Sequence, residues 1–180
     1  GQPEGAFQPY HRGFSGRGAG AGGGTTLYDA VYLAADDVLK KQPGRKAIIL
    51  LTDGVDMGSR TTLNSAIEYA QRSDVMVYSI LFADSQAYQG RGGGGSGQGA
   101  DGRRVLQRLA QETGGSFYEV SKKQTLDQIY TRLQEELRNQ YSLGYTPASG
   151  AAPGFRAIKV SAKQHDTIVQ AREGYYPAVR

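Results

Sequence analysis

Two kinds of apolar pattern alternate along the chain before a third replaces them. From Thr26 to Lys41, Leu27, Val31, Ala34 and Val38 recur at helical spacing, with Ala30, Ala35 and Leu39 widening the stripe, so an amphipathic helix is expected. Thr25 is its expected N-cap, Asp29 suits the positive N-terminal end, Lys40 and Lys41 suit the negative end, and "QPG" at 42–44 stops it. "KAIILLT" at 46–52 is too short for a core helix and does not alternate, which predicts a parallel strand covered on both faces. The pair of patterns then repeats: a helix at 61–72 carrying Leu63, Ala66, Ile67 and Ala70, and the strand "VMVYSILF" at 75–82. A helix near 102–113 with "GG" at its stop, the short strand "SFYEV", and a helix at 125–139 follow. Thr125 and Gln128 have the spacing of a capping box, with Leu126, Ile129, Tyr130, Leu133 and Leu137 forming the stripe behind it. The tail differs in kind. "YSLGYTP", "FRAIKVSAK" and "TIVQAREGYY" are strand-like runs between short turns, which predicts a small antiparallel meander, with Tyr141, Tyr145, Tyr175 and Tyr176 packing it against the last helix.

This order predicts an α/β fold, a doubly wound and mostly parallel sheet with right-handed crossovers, carrying a C-terminal antiparallel β appendage. Residues 1–24 are glycine-rich without hydrophobic period and read as a flexible lead-in, and 83–101 read as a low-complexity loop. The expected division is therefore 1–24, an α/β unit at 25–139, and an appendage at 140–180. The 26 glycines, about twice the usual share of roughly 7%, belong largely to those two glycine-rich stretches. A net charge of +4 suits an acidic partner but is too small to indicate nucleic acid by itself. Without cysteine, disulfides, thiolate metal sites and cysteine nucleophiles are excluded. No apolar run reaches the roughly 20 residues of a membrane-spanning helix. The opening "GQPEGAFQPY" has neither an initiator Met nor a signal-peptide core, so the expectation is a fragment or processed piece of something longer.

The apolar run 48–52 ends on Asp53. In an open parallel sheet, ligands bind beyond the carboxyl ends of the strands, where loops and helix N-termini converge, and Thr25 belongs at that same end. A carboxylate and a hydroxyl are hard oxygen donors suited to Mg²⁺ or Mn²⁺, though alone they make an incomplete site. Plainer roles stand beside this one: Asp-Gly is a common turn pair, Thr25 caps a helix, and Asp29 and Asp56 are accounted for by the helix dipole and a solvated turn. The glycine run before Thr25 lacks the Gly-Lys-Ser/Thr ending of a phosphate-binding loop. The arginine-glycine patches "GFSGRGAG" and "GRGGGG" offer a route to single-stranded nucleic acid, with few arginines in each. His11 and His165 are far apart in sequence and sit in a tail and a turn, with no plausible Ser or carboxylate partner at short range. The expectation is a binding protein and not an enzyme.

"GGTTLYDAVYLAADDVLKKQPGRKAIILLTDGVD" resembles the middle of a von Willebrand factor A domain. With "YSLGYTP" and "AREGYY" downstream, the chain is similar to the bacterial VWFA-related proteins abundant in Acidobacteria, over residues 23 to about 176. The resemblance implies a metal-ion-dependent adhesion site at the top of the sheet, built from a DxSxS motif, a loop Thr and the Asp of a "TDG" loop. The Thr corresponds to Thr25, with Thr26 as a one-place alternative, and the Asp to Asp53. The DxSxS motif has no counterpart, which implies either that its segment is truncated or that the chain is a degenerate member. The resemblance further implies capture of an acidic group of a protein partner through Mg²⁺ or Mn²⁺, and an extracytoplasmic setting, secreted or in the cell envelope. It also implies that 46–52 forms a bare apolar sheet edge awaiting complementation by an N-terminal segment. Single-stranded nucleic-acid binding and a metal-free assembly role remain as alternatives.

Overall fold

The computed structural model describes residues 25–82, 96–145, 154–164 and 166–177. The predicted lead-in and most of the predicted low-complexity loop, together with the arginine-glycine patches and both histidines, lie outside the described residues. In chain order the elements are α1 (Leu27–Leu33), continued by a π-helical segment (Ala34–Leu39), β1 (Lys46–Thr52), α2 (Leu63–Arg72), β2 (Val75–Leu81), α3 (Ser96–Thr113), β3 (Phe117–Glu119), α4 (Leu126–Arg138), β4 (Arg156–Ala157) and β5 (Gly174–Tyr175). Strands β1, β2 and β3 form one parallel sheet in that order, with Lys46 level with Val75 and Ser79 level with both Leu50 and Phe117.

The α/β architecture is as expected, because β2 has apolar side chains on both faces. Val75, Val77 and Leu81 point into one core with Leu27 and Val31 of α1, Ala66 and Ile67 of α2, and Leu106 and Leu109 of α3. Tyr78 and Ile80 point the other way, onto Tyr118 and onto Ile129 and Leu133 of α4. Each fully buried aliphatic side chain contributes about 1.5–3 kcal/mol, so this double-sided strand is the main source of cohesion. Helix α4 begins at the predicted capping box: the Thr125 side chain accepts from Gln128 N–H while the Gln128 side chain accepts from Thr125 N–H. A glycine permits backbone contact between layers. A Cβ on Gly115 would lie 2.1 Å from the Val77 carbonyl oxygen, which is why the turn between α3 and β3 carries a residue without a side chain.

Several expectations are corrected. The first helix starts at Leu27 with Thr26 as N-cap, and the Thr26 side chain makes no capping bond, so Thr25 is not the cap. Its second half is π-helical, with Lys40 N–H bonded to Ala35 O, five residues back. Helix α3 begins at Ser96, inside the predicted loop. Strand β1 is not covered on both faces: it is the outer strand, and Ile49 and Leu51 are 43% and 48% exposed. The Phe82 N–H bond to Thr52 O turns the even-numbered backbone groups of β1 toward β2, so Ala47, Ile49 and Leu51 direct theirs outward. That bare apolar edge agrees with what the resemblance implied.

The appendage is also smaller than a three-stranded meander. Among the described residues it forms a two-residue antiparallel ladder, Arg156 opposite Tyr175 and Ala157 opposite Gly174. Tyr141 and Leu143 stand 93% and 78% exposed in extended chain instead of packing on the last helix. Tyr145 meets Tyr175 edge-to-face, and Tyr176 lies under the Arg72 guanidinium of α2 at 4.0 Å. The appendage docks at the amino-terminal ends of the strands. Glu173 N–H donates to Glu112 O, the Gln170 side chain donates to Gly114 O, and Arg172 pairs with Asp74, the residue before β2.

Among the described residues two buried hydroxyls, those of Ser73 and Ser79, have no hydrogen-bond partner. Ser79, in the middle of β2, is fully buried. An orphaned buried hydroxyl costs stability, and Ala fits the same space. Ser79→Ala is expected to raise unfolding stability by about 1 kcal/mol in urea titration, with an unchanged slope.

Candidate functional site

The carboxyl ends of the parallel strands carry the candidate site. Just beyond β1 the chain makes a tight turn: Val55 N–H donates to Asp53 Oδ1 at 3.0 Å and Gly54 N–H to Thr52 Oγ1 at 3.2 Å. Gly54 has φ +79°, and a Cβ there would lie 2.3 Å from the Gly102 carbonyl oxygen. A Cβ on Gly102 would in turn lie 2.3 Å from the Asp53 carbonyl oxygen, so two glycines let α3 lie directly on the Asp53 turn. The turn role foreseen for Asp-Gly is therefore real. It occupies Asp53 Oδ1 with a backbone donor and holds the carboxylate, half-buried, at the end of the sheet.

Thr25, exposed, lies at the same end. Its carbonyl oxygen accepts the N–H of Met57 at 2.8 Å, which fastens the chain before α1 to the loop that follows Asp53. The two residues singled out in the sequence thus sit on adjoining segments. Among the described residues no group of three or more His, Asp or Glu side chains is placed to hold a metal ion. The two residues singled out, Asp53 and Thr25, offer a carboxylate and a hydroxyl, a set that suits a hard cation retaining most of its waters and falls short of a full coordination sphere.

What the sequence did not reveal is how these segments are held. Helix α1 has no cap of its own, and its first N–H groups are satisfied from the other loop: Tyr28 N–H donates to Asp56 Oδ1 at 3.1 Å and Asp29 N–H to Ser59 Oγ at 3.1 Å. Asp29 reciprocates, its two oxygens accepting Thr61 N–H at 2.8 Å and Arg60 N–H at 3.0 Å. Ser59 N–H donates to Asp56 Oδ2 at 3.1 Å and the Ser59 hydroxyl to Asp56 Oδ1. Asp29 and Asp56 are therefore more than dipole and turn residues. The Asp-x-x-Ser spacing was a visible signal for the local turn, but the contact from it to α1 spans 28 residues and left no local mark.

Both carboxylates titrate low. The Arg60 and Thr61 N–H groups hold Asp29 below its ordinary value of 3.8. For Asp56, partial burial pushes upward, but the Ser59 hydroxyl and the N–H groups of Tyr28 and Ser59 outweigh it and leave a net lowering. A carboxyl whose pKa is depressed by folding stabilises the fold above its unfolded pKa and loses that contribution as pH falls through the folded one. The melting temperature of the wild type is expected to exceed that of Asp29→Asn at neutral pH. The gap should begin to close below the ordinary value of 3.8 and vanish in stronger acid, as followed by thermal melts across pH.

The parallel α/β sheet with its covering helices is consistent with what the comparisons found. No curated protein matches the chain. The family model for the von Willebrand factor type A domain matches residues 18–132, from before α1 into α4. With more than half of its length matched, the chain belongs to the von Willebrand factor type A domain family.

Proposed function

We propose that the chain is a metal-ion-dependent protein-binding module in which Asp53 and Thr25 contribute oxygen donors to Mg²⁺ or Mn²⁺ at the end of the sheet. Domains of this family commonly serve protein interaction or adhesion. The observation that carries the reading is the fastening of Thr25 O to Met57 N–H, which brings the threonine segment alongside the Asp53 turn. When bound, the cation supplies a directional, charge-assisted contact to a carboxylate of the partner protein. The protein side chains orient that contact, and the role is binding and not catalysis. Thr25 and Asp53 alone are a short donor set, so the remaining ligands come from a further segment. The outward row of Ala47, Ile49 and Leu51 on β1 offers the backbone groups on which such a segment would add as a strand, beside Asp53.

The finer setting follows the resemblance of the tail "YSLGYTP" and "AREGYY" to bacterial VWFA-related proteins, which points to a secreted or envelope-associated protein. No described helix is long and apolar enough to cross a membrane.

Titration calorimetry with Mn²⁺ tests the reading. The chain is expected to show weak, saturable binding that falls at least tenfold in Asp53→Ala, about 1.4 kcal/mol. Identical heats for the two proteins would sink the metal role and favour the turn role of Asp53 within a metal-free assembly domain.

A further inference from the structure

Helix α1 is short and begins without a side-chain cap, yet it stands directly behind Thr25. A helix that leaves its first N–H groups unpaired frays from that end, and fraying here would carry Thr25 away from Asp53. The structure prevents it by capping across two segments. The loop after Asp53 satisfies Tyr28 and Asp29 through Asp56 and Ser59, while Asp29 satisfies Arg60 and Thr61 of that same loop. Each segment is the cap of the other.

We infer that Asp29, Asp56 and Ser59 are positioning residues for the cation site. They form a reciprocal cap that sets where the Thr25 segment stands relative to the Asp53 turn, and this inference rests on the reading of Thr25 and Asp53 given above. They act through other groups and not as ligands, because their oxygens are already committed. Both Asp29 oxygens accept backbone N–H groups. Asp56 Oδ1 accepts from Tyr28 and from the Ser59 hydroxyl, and Oδ2 from Ser59 N–H. The bond from Met57 N–H to Thr25 O lies next to this cap, and the bond from Val55 N–H to Asp53 Oδ1 lies one step further along the loop. Those two amides therefore report the site itself, whereas Tyr28, Arg60 and Thr61 report the cap. Supporting groups behind metal ligands commonly change affinity 10–100-fold when removed.

Ser59 separates positioning from formal charge, since Ser59→Ala removes a neutral bridging hydroxyl and leaves both the Asp29 and Asp56 carboxylates in the chain. Amide hydrogen exchange of the metal-free 180-residue chain is compared for wild type, Ser59→Ala and Ser59→Thr, with β2 amides as the control for the fold. The expected result is roughly tenfold faster exchange at Met57 and Val55 in Ser59→Ala with β2 unchanged, recovery in Ser59→Thr, and Mn²⁺ affinity falling about tenfold in parallel. Faster exchange at Tyr28 and Asp29 alone, with Met57 and Val55 as protected as in wild type, would overturn the inference and leave the cap a purely local support. Should Ser59→Ala also open β2, Asp29→Asn replaces it and is judged by the same two amides. If wild-type protein takes up no Mn²⁺, the metal reading fails, and the two amides still decide whether the cap positions the segment.

Discussion

Strand β2 has to be apolar on both faces, and most of the architecture answers to that. Its odd positions face three helices and its even positions face one, so neither face is left to water. The helices on the two sides differ in how they reach it. On the crowded side, α3 comes close enough to the Asp53 turn that Gly54 and Gly102 touch through bare backbone. On the open side, α4 is held by packing together with a polar edge in which Glu136 accepts from the hydroxyls of Ser116 and Tyr118, and the Gln140 side chain donates to the Tyr78 hydroxyl at 2.7 Å. Burial and that bond to Glu136 push the Tyr118 hydroxyl well above the ordinary tyrosine range.

The same constraint explains why β1 and β2 look alike in sequence and differ in space. "KAIILLT" and "VMVYSIL" are both largely apolar runs without polar alternation, which is the signature of a strand in a covered parallel sheet. Composition cannot say whether the covering elements are supplied by neighbouring residues or from elsewhere. For β2 they are all present among the described residues; for β1 the helices shield Ile48 and Leu50 but leave Ile49 and Leu51 to solvent.

Local signals were legible and non-local ones were not. The Thr125 and Gln128 capping box, the strand limits at Lys46–Thr52 and the turn role of Asp53 follow from nearest neighbours, and they appear where the residues put them. The start of the first helix was misread by one residue because Thr25 and Thr26 are equally good caps on paper, and neither side chain is used as one: the cap arrives from Asp56 and Ser59. The tail was overread. Alternating apolar residues at Tyr141, Leu143 and Tyr145 satisfy the strand pattern, but a strand also needs a neighbour to bond, and among the described residues of the tail Arg156–Ala157 and Gly174–Tyr175 are the pair that find one.

The docking of the C-terminal segment has a mechanical consequence. Arg172 and Glu173 attach it at the end where the strands begin, through Asp74 and Glu112, while Asp53 stands where β1 finishes. Tension between a partner held at Asp53 and the C-terminal segment would run along the strands. The seven-residue ladder between β1 and β2 would then be loaded in shear, its rungs sharing the pull together instead of parting one at a time.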